Sequence, residues 1–374
     1  MNHRLLPDEV VALILKKADQ YKLRDYCNYA LINKQFNKAA NARIWETLYL
    51  LEQDYVARLL PSINNSPRLL GHHVQLIRLK NVRMDDTSFL RLMTHVPNVD
   101  ILELHNVDGV TDTSFQQIPH HIPHLTSLSL DQRHITHLSI EALAQHCHQL
   151  RSLSLNNVTL SSRTFAALAA CPLLIDLSFS VDDLPKDPSD AVASSTILDL
   201  IALTSLKYIL IRDVTPWFCR AVAATVHSLI WPQLIHLTIR GNALDDACAM
   251  ALLNHLLSPK LKQVFLNDSH FLTDRTLDTI TTLISDIERV SLDDCEHITH
   301  HGVRRMALGC RLLRCIYLYN CGIDATLCFP NLLHVRDCRY DKTPPHYLHL
   351  LGPQSLAAIR RGYDLDRIND SNKR

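Results

Sequence analysis

Apolar residues recur along most of the chain as apolar-x-x-apolar-x-apolar. The triplets are Val74/Ile77/Leu79, Val99/Leu102/Leu104, Leu125/Leu128/Leu130, Leu150/Leu153/Leu155 and Leu174/Leu177/Phe179. They continue as Leu206/Ile209/Ile211, Leu234/Leu237/Ile239, Leu261/Val264/Leu266, Ile287/Val290/Leu292 and Leu313/Ile316/Leu318. From centre to centre the steps are 25, 26, 25, 24, 32, 28, 27, 26 and 26 residues. Chance triplets would not keep phase over ten units, so the period is a property of the fold. The alternating end of each triplet predicts a short strand with one face buried. A polar turn follows, then helical spacing at Phe89/Leu92/Met93, Ile140/Leu143/Ala144, Phe165/Leu168/Ala169, Leu277/Ile280/Leu283 and Val303/Met306/Ala307. Thr111-Asp112, Ser161-Ser162, Asp245-Asp246 and Thr273-Asp274 stand where helix caps belong. One strand and one helix cannot bury their own apolar faces, so the units are expected to stack into a curved α/β solenoid.

Composition narrows the chemistry. The 374 residues include 38 basic and 38 acidic side chains, giving no global field for nucleic acid or an anionic membrane. There are only 8 glycines, and none forms GxGxxG or GxxxxGK[ST]. A dinucleotide-binding turn and a phosphate-binding P-loop are thereby excluded. No run of about 18 apolar residues is present. Leu6-Pro7-Asp8-Glu9 brings proline and acids too early for a signal peptide. The 11 cysteines are odd in number and form no CxxC pair, which points away from a disulfide framework. The expected location is therefore a reducing compartment, cytoplasmic or nuclear.

The repeat resembles the leucine-rich repeat in its longer, helix-bearing, ribonuclease-inhibitor-like and cysteine-containing forms. The stretch that carries this best runs Leu292-Asp-Asp-Cys295-Glu-His-Ile298-Thr-His-His-Gly302-Val303, through Cys310 to Leu313 and Tyr319-Asn-Cys321. The resemblance implies a horseshoe over residues 67–340, of about ten to eleven repeats. It departs from the pattern in the slot after each strand. Asn242, Cys295 and Cys321 fill that slot as expected, whereas Val82, Val107, Val158 and Val214 do not. The 32-residue step carries an insertion at 182–197, polar and Pro-rich, read as a surface loop that is either a partner site or tolerated decoration.

Residues 1–50 have a different texture. Leu6-Pro7-Asp8-Glu9-Val10 opens a helix with proline and acids in its first turn. A second helical stretch is expected from Asp25 through Ala39, and the segment closes on Ile44-Trp45. This resembles an F-box, the small all-α module that binds the Skp-type adaptor of cullin–RING ubiquitin ligases. Leu6, Pro7, Glu9 and Val10 match its opening. Asp25 matches its middle aspartate, Ile32-Asn33-Lys34-Gln35-Phe36 its Val-Cys-basic-x-Trp element, and Ile44-Trp45 its close. Asn33 replaces the cysteine, and Phe36 replaces a tryptophan without its indole donor. The resemblance implies an adaptor contact formed or supported by Leu6, Pro7, Glu9, Val10, Leu13, Leu31, Ile32, Phe36, Ile44 and Trp45. The bland alternative is a helical cap that seals the first repeat. Residues 51–66 are read as a connector, and 341–374 as a C-terminal cap with a polar tail.

Histidine clusters at His120-His121/His124, His146-Cys147-His148 and Cys295-x-His297-x-x-His300-His301 invite a zinc reading. The repeat opposes it, because Cys147, Cys171 and Cys310 occupy one repeat position, and Cys295 and Cys321 another. Equivalent positions point into equivalent core sites one repeat apart, where free cysteine packs as a small hydrophobe. No metal and no cofactor is expected. No GxSxG elbow or other nucleophile–base set can be assembled, so the chain is not expected to be an enzyme.

What remains is the concave face, where residues between the buried strand positions point. In early repeats it carries Ser127, Ser129, Ser152, Ser154, Ser178 and Ser180. In later ones it carries Tyr208, Arg212, His236, Arg240, Phe265, Arg289, Tyr317 and Tyr319, the residue types that anchor protein interfaces. The expected activity is that of a non-catalytic substrate receptor of an SCF-type ubiquitin ligase. The repeats would hold a protein substrate, and Arg212, Arg240 and Arg289 would suit an acidic or phosphorylated one. The alternatives are a leucine-rich-repeat scaffold or GTPase-regulator-like binder without ligase linkage, and a metal-dependent hydrolase. No nucleic acid or membrane partner is expected.

Overall fold

The computed structural model describes residues 6–17, 23–66, 71–186, 189–225, 231–255 and 258–363. By its contacts the chain divides into two compact units, residues 1–152 with 157–159, and residues 153–156 with 160–374. Strand and helix alternate through both, and among the described residues there are thirteen strands.

In the first unit β1 (Thr47–Leu50), β2 (Leu76–Lys80), β3 (Ile101–His105) and β4 (Ser127–Asp131) run parallel in chain order. Leu48 lies beside Ile77, Ile77 beside Leu102, and Leu102 beside Leu128. β5 spans Ser152–Asn156. In the second unit β6 (Asp176–Ser180), β7 (Tyr208–Arg212), β8 (His236–Arg240), β9 (Gln263–Asn267), β10 (Arg289–Ser291) and β11 (Cys315–Tyr317) are again parallel and in order. β12 (Cys338–Tyr340) and β13 (Leu348–Leu351) close the sheet antiparallel, with β13 paired to β11.

All thirty triplet residues of the repeat are at most 2% exposed. Burial of each such side chain is worth about 1.5–3 kcal/mol, so the triplets form the core under each repeat. Phe89, Leu92 and Met93, or Val303, Met306 and Ala307, bring the apolar stripe of each helix onto that layer. Ala169 and Leu283, expected in the same stripe, are exposed. Ile284, one residue past the helix Asp274–Leu283, is buried instead of Leu283. The architecture is a leucine-rich-repeat α/β solenoid.

Two polar ladders tie one repeat to the next. Asn81, Asn106, Asn157, Asp213, Asp268, Asp294 and Asn320 each follow a strand with φ between 51° and 60°. Asparagine and aspartate tolerate this left-handed turn, which β-branched residues resist. At the helix starts, Asp112 accepts hydrogen bonds from Thr136 N (2.9 Å), Thr136 Oγ1 (2.7 Å) and Ser139 Oγ (2.5 Å). Asp86 is held likewise by Thr111 and Ser114, and Asp246 by Thr273 and Thr276. Thr111, Thr136 and Thr273 also cap their own helices. Each threonine thus serves two repeats at once.

Several expectations need correction. The stretch 51–66 is not a connector: the helix Gln53–Asn65 follows β1, and β1 pairs with β2. The repeats therefore begin near residue 47. The insertion is not a loop throughout, because its second half opens the helix Asp190–Ile201. Ala193, Ile197 and Leu200 are buried there at helical spacing. The helical stretch at 25–39 is two helices, Leu23–Ala30 and Lys34–Ile44. Asn242 is exposed, so it leaves the post-strand slot that Cys295 and Cys321 fill. At the C-terminus, β13 and the helix Pro353–Arg360 cap the sheet, and Arg360 donates to Ala307 O, Cys310 O and Leu313 O. The polar tail expected beyond residue 363 lies outside the described residues.

Candidate interaction surfaces

The first surface is built on the helices Asp8–Lys17, Leu23–Ala30 and Lys34–Ile44. Val11, Leu15, Tyr26 and Ala40 form their buried centre, with Tyr29, Phe36, Ala39 and Ile44 packed against it. Tyr26 Oη donates to Leu15 O at 3.2 Å. Asn33, where the F-box pattern has cysteine, opens the third helix and accepts from Gln35 N and Phe36 N, both at 2.9 Å. Gln35 Nε2 reaches back to Leu6 O and to Asp8 Oδ1 (2.7 Å), fastening the chain start to the third helix.

With Val11 and Leu15 turned inward, the helical period turns Val10, Leu13 and Ile14 outward. Leu13 is 59% exposed, Leu31 83% and Ile32 58%. Leu6, Pro7, Glu9 and Trp45 are also exposed. Of the ten residues assigned to the adaptor contact, Phe36 and Ile44 are half-buried and support the helices from within. Ile14 belongs with the exposed set and was absent from that assignment. Its place one turn after Val10 was the signal.

The second surface is the open face of β6 to β11. Strand register sorts its residues into rows. Tyr208, His236, Gln263, Arg289 and Cys315 are successive partners in one row. Thr238, Phe265, Ser291 and Tyr317 form the next. Arg240 and Asn267 lie two residues further along. The sequence grouped Tyr208, His236, Phe265, Arg289 and Tyr317 on one face without distinguishing rows.

Four of these side chains make a continuous series of edge-to-face rings. Tyr208 and His236 have centroids 6.4 Å apart, His236 and Phe265 4.5 Å, and Phe265 and Tyr317 6.2 Å. The last contact spans β10, where the small Ser291 leaves room. Tyr319 stands apart, exposed, 5.0 Å from the His349 ring. Burial lowers the His236 pKa, and the nearby Arg289 lowers it further. Its Nε2 is 3.0 Å from Thr238 Oγ1.

The three arginines differ in what they hold. Arg212 donates to Ser178 Oγ (3.0 Å) and Leu155 O (2.9 Å). Arg240 pairs with Asp268 at 3.9 Å. Arg289 is exposed, and among the described residues it makes no ion pair.

In the cysteine and histidine clusters the cysteines are buried and most of the histidines exposed. Cys295 Sγ donates to Leu266 O (3.1 Å) and Cys321 Sγ to Leu292 O (2.9 Å), one repeat apart. Burial pushes the Cys321 thiol up to about 12 and the Cys171 thiol up to about 11. Cys328 Sγ lies 3.4 Å from His300 Nδ1, but burial raises that thiol too, which disfavours the thiolate a nucleophile needs. Among the described residues no three His, Cys, Asp or Glu side chains stand close enough to share a metal ion.

No family model matches the chain, and no curated protein does. Solved structures similar to it include the Rad7 and Elc1 complex of yeast, at 14% identity and a TM-score of 0.42, covering 80% of this chain and 79% of that one. Another is the TLR13–ssRNA13 complex, at 16% identity and a TM-score of 0.41, covering 66% of this chain and 33% of that one. At such identity and overlap neither bears on function.

Proposed function

We propose that the chain is a non-catalytic, two-handed adaptor, in which the N-terminal helices grip the Skp-type adaptor of a cullin–RING ligase and the repeats hold a protein substrate. The observation that carries this reading is the set of exposed apolar side chains on the first helix and on the segments beside the N-terminal helices: Leu6, Val10, Leu13, Ile14, Leu31 and Ile32. A cap that only sealed a solenoid would have its apolar side chains turned into the repeats, whereas these face water above a core that is already complete. The F-box resemblance supplies the kind of partner. Holding substrate and ligase on one chain raises their effective concentration, and no reacting group is required of the chain itself. Its workplace on this reading is the cytoplasm or nucleus, where its free thiols stay reduced.

The test is co-precipitation of the purified Skp-type adaptor and cullin by the full chain and by a Leu31→Asp, Ile32→Asp variant. Capture by the wild type with at least tenfold loss in the variant, at unchanged melting temperature, is expected. Absence of capture by the folded wild type would leave the helices as a cap and the chain as a repeat scaffold.

A further inference from the structure

The open face of the second unit narrows the chemistry of what it binds. The aromatic series Tyr208–His236–Phe265–Tyr317 provides an apolar platform four rings long. Among the described residues of β6 to β11, Arg289 is the one strand-face arginine whose guanidinium has no intramolecular ion pair or hydrogen bond, since Arg212 is bound to Ser178 and Leu155 and Arg240 to Asp268. Arg289 pairs in register with Gln263, two residues before Phe265, which makes it a diagonal neighbour of that ring.

The rim where the strands end carries carboxylates, one of them, Asp268, paired with Arg240. Asp213, Asp268 and Asp294 follow β7, β9 and β10 there. Asp213 accepts from Ser180 Oγ at 2.6 Å and Asp294 from Asn320 Nδ2 at 2.6 Å, which holds these carboxylates in place. A polyanion lying across the face would meet this rim. A short segment with one acidic side chain avoids it by placing that side chain at Arg289.

We infer that this face takes an extended peptide whose aromatic or large aliphatic side chain seats on Phe265 and whose neighbouring carboxylate pairs with Arg289. The inference rests on the reading of the repeats as a protein-binding surface. It narrows the acidic or phosphorylated substrate expected from the sequence to one carboxylate met by Arg289 beside a ring platform. Phe265 supplies buried area at low entropic cost, and Arg289 supplies a bidentate site for a carboxylate.

The test is selection of a random phage-displayed peptide library on the immobilised full chain, followed by affinity measurement of the enriched synthetic peptide. The expected consensus holds an aromatic or large aliphatic residue with Asp or Glu within a few positions. Phe265→Ala should weaken that peptide at least tenfold. Arg289→Glu should abolish its binding, and a fresh selection on that variant should replace the acid by Lys or Arg. Melting temperatures matching the wild type separate these effects from misfolding, and Arg289→Lys should retain part of the affinity. A consensus lacking the acid, with affinity unchanged within twofold by Arg289→Glu, would overturn the inference while leaving a peptide-binding face. Failure to enrich any peptide sensitive to Phe265→Ala would overturn it together with the reading of the repeats. Displacement of the enriched peptide by single-stranded oligo-uridine would also overturn it, in favour of a nucleic-acid face.

Discussion

Asp246 shows how one carboxylate can couple two repeats. It receives Thr273 N at 2.9 Å, Thr273 Oγ1 at 2.6 Å and Thr276 Oγ1 at 2.6 Å. Burial alone would raise its pKa, but the hydrogen bonds from Thr273 and Thr276 outweigh it and leave the group below its ordinary value. A folded pKa below the unfolded one gives stability that is present above the unfolded value and lost as pH falls through the folded value. Asp246→Ala should therefore cost about 1–3 kcal/mol at neutral pH, read as a lowered urea midpoint. The gap to wild type should shrink as pH drops below about 4. Asp86, lowered in the same way by Ser114 and Thr111, should behave alike. The thiols offer a second check. Alkylation of the native chain followed by mass spectrometry should modify Cys27, the exposed thiol, first, and should leave Cys147, Cys295, Cys310 and Cys321 unmodified until denaturant is added. Rapid modification of Cys295 in native buffer would contradict its place in the core.

Among the elements, the helix Asp190–Ile201 is where the sequence misleads. Its start follows Leu-Pro-Lys-Asp-Pro-Ser, whose composition reads as loop, and that texture obscured Ala193, Ile197 and Leu200 at helical spacing. Ile197→Ala should cost about 2–5 kcal/mol, while exposed Leu198→Ala should stay within about 0.5. Equal effects in thermal melts would mean that the helix is misplaced. The ten strands β2 to β11 were legible, because thirty apolar positions in constant phase leave one burial pattern available. β1 was missed although Trp45, Leu48 and Leu50 complete a triplet, because Ile44-Trp45 reads as the close of the N-terminal helical segment. The open face was legible only as a set of residues. Alternation tells which side a strand residue faces, but the row it occupies depends on register between repeats. Which arginine has a partner depends on contacts such as Arg212 to Leu155, 57 positions apart.

The molecule as a whole carries two surfaces built from different parts of the chain. The exposed apolar set on the N-terminal helices was partly legible, since Val10 and Leu13 read as contact residues and Ile14 did not. A truncation at residue 50 would be a poor probe, because it removes β1, whose Leu50 is buried beside Leu79. Point changes on the exposed helical face avoid that damage. The most direct measurement is hydrogen exchange of the full chain with and without the purified Skp-type adaptor. Slowed exchange in peptides covering residues 6–15 and 31–45, with β7 to β11 unchanged, is the result predicted. Binding with no protection in those N-terminal peptides, or protection confined to the repeats, would contradict the assignment of the N-terminal helices as the ligase-facing surface.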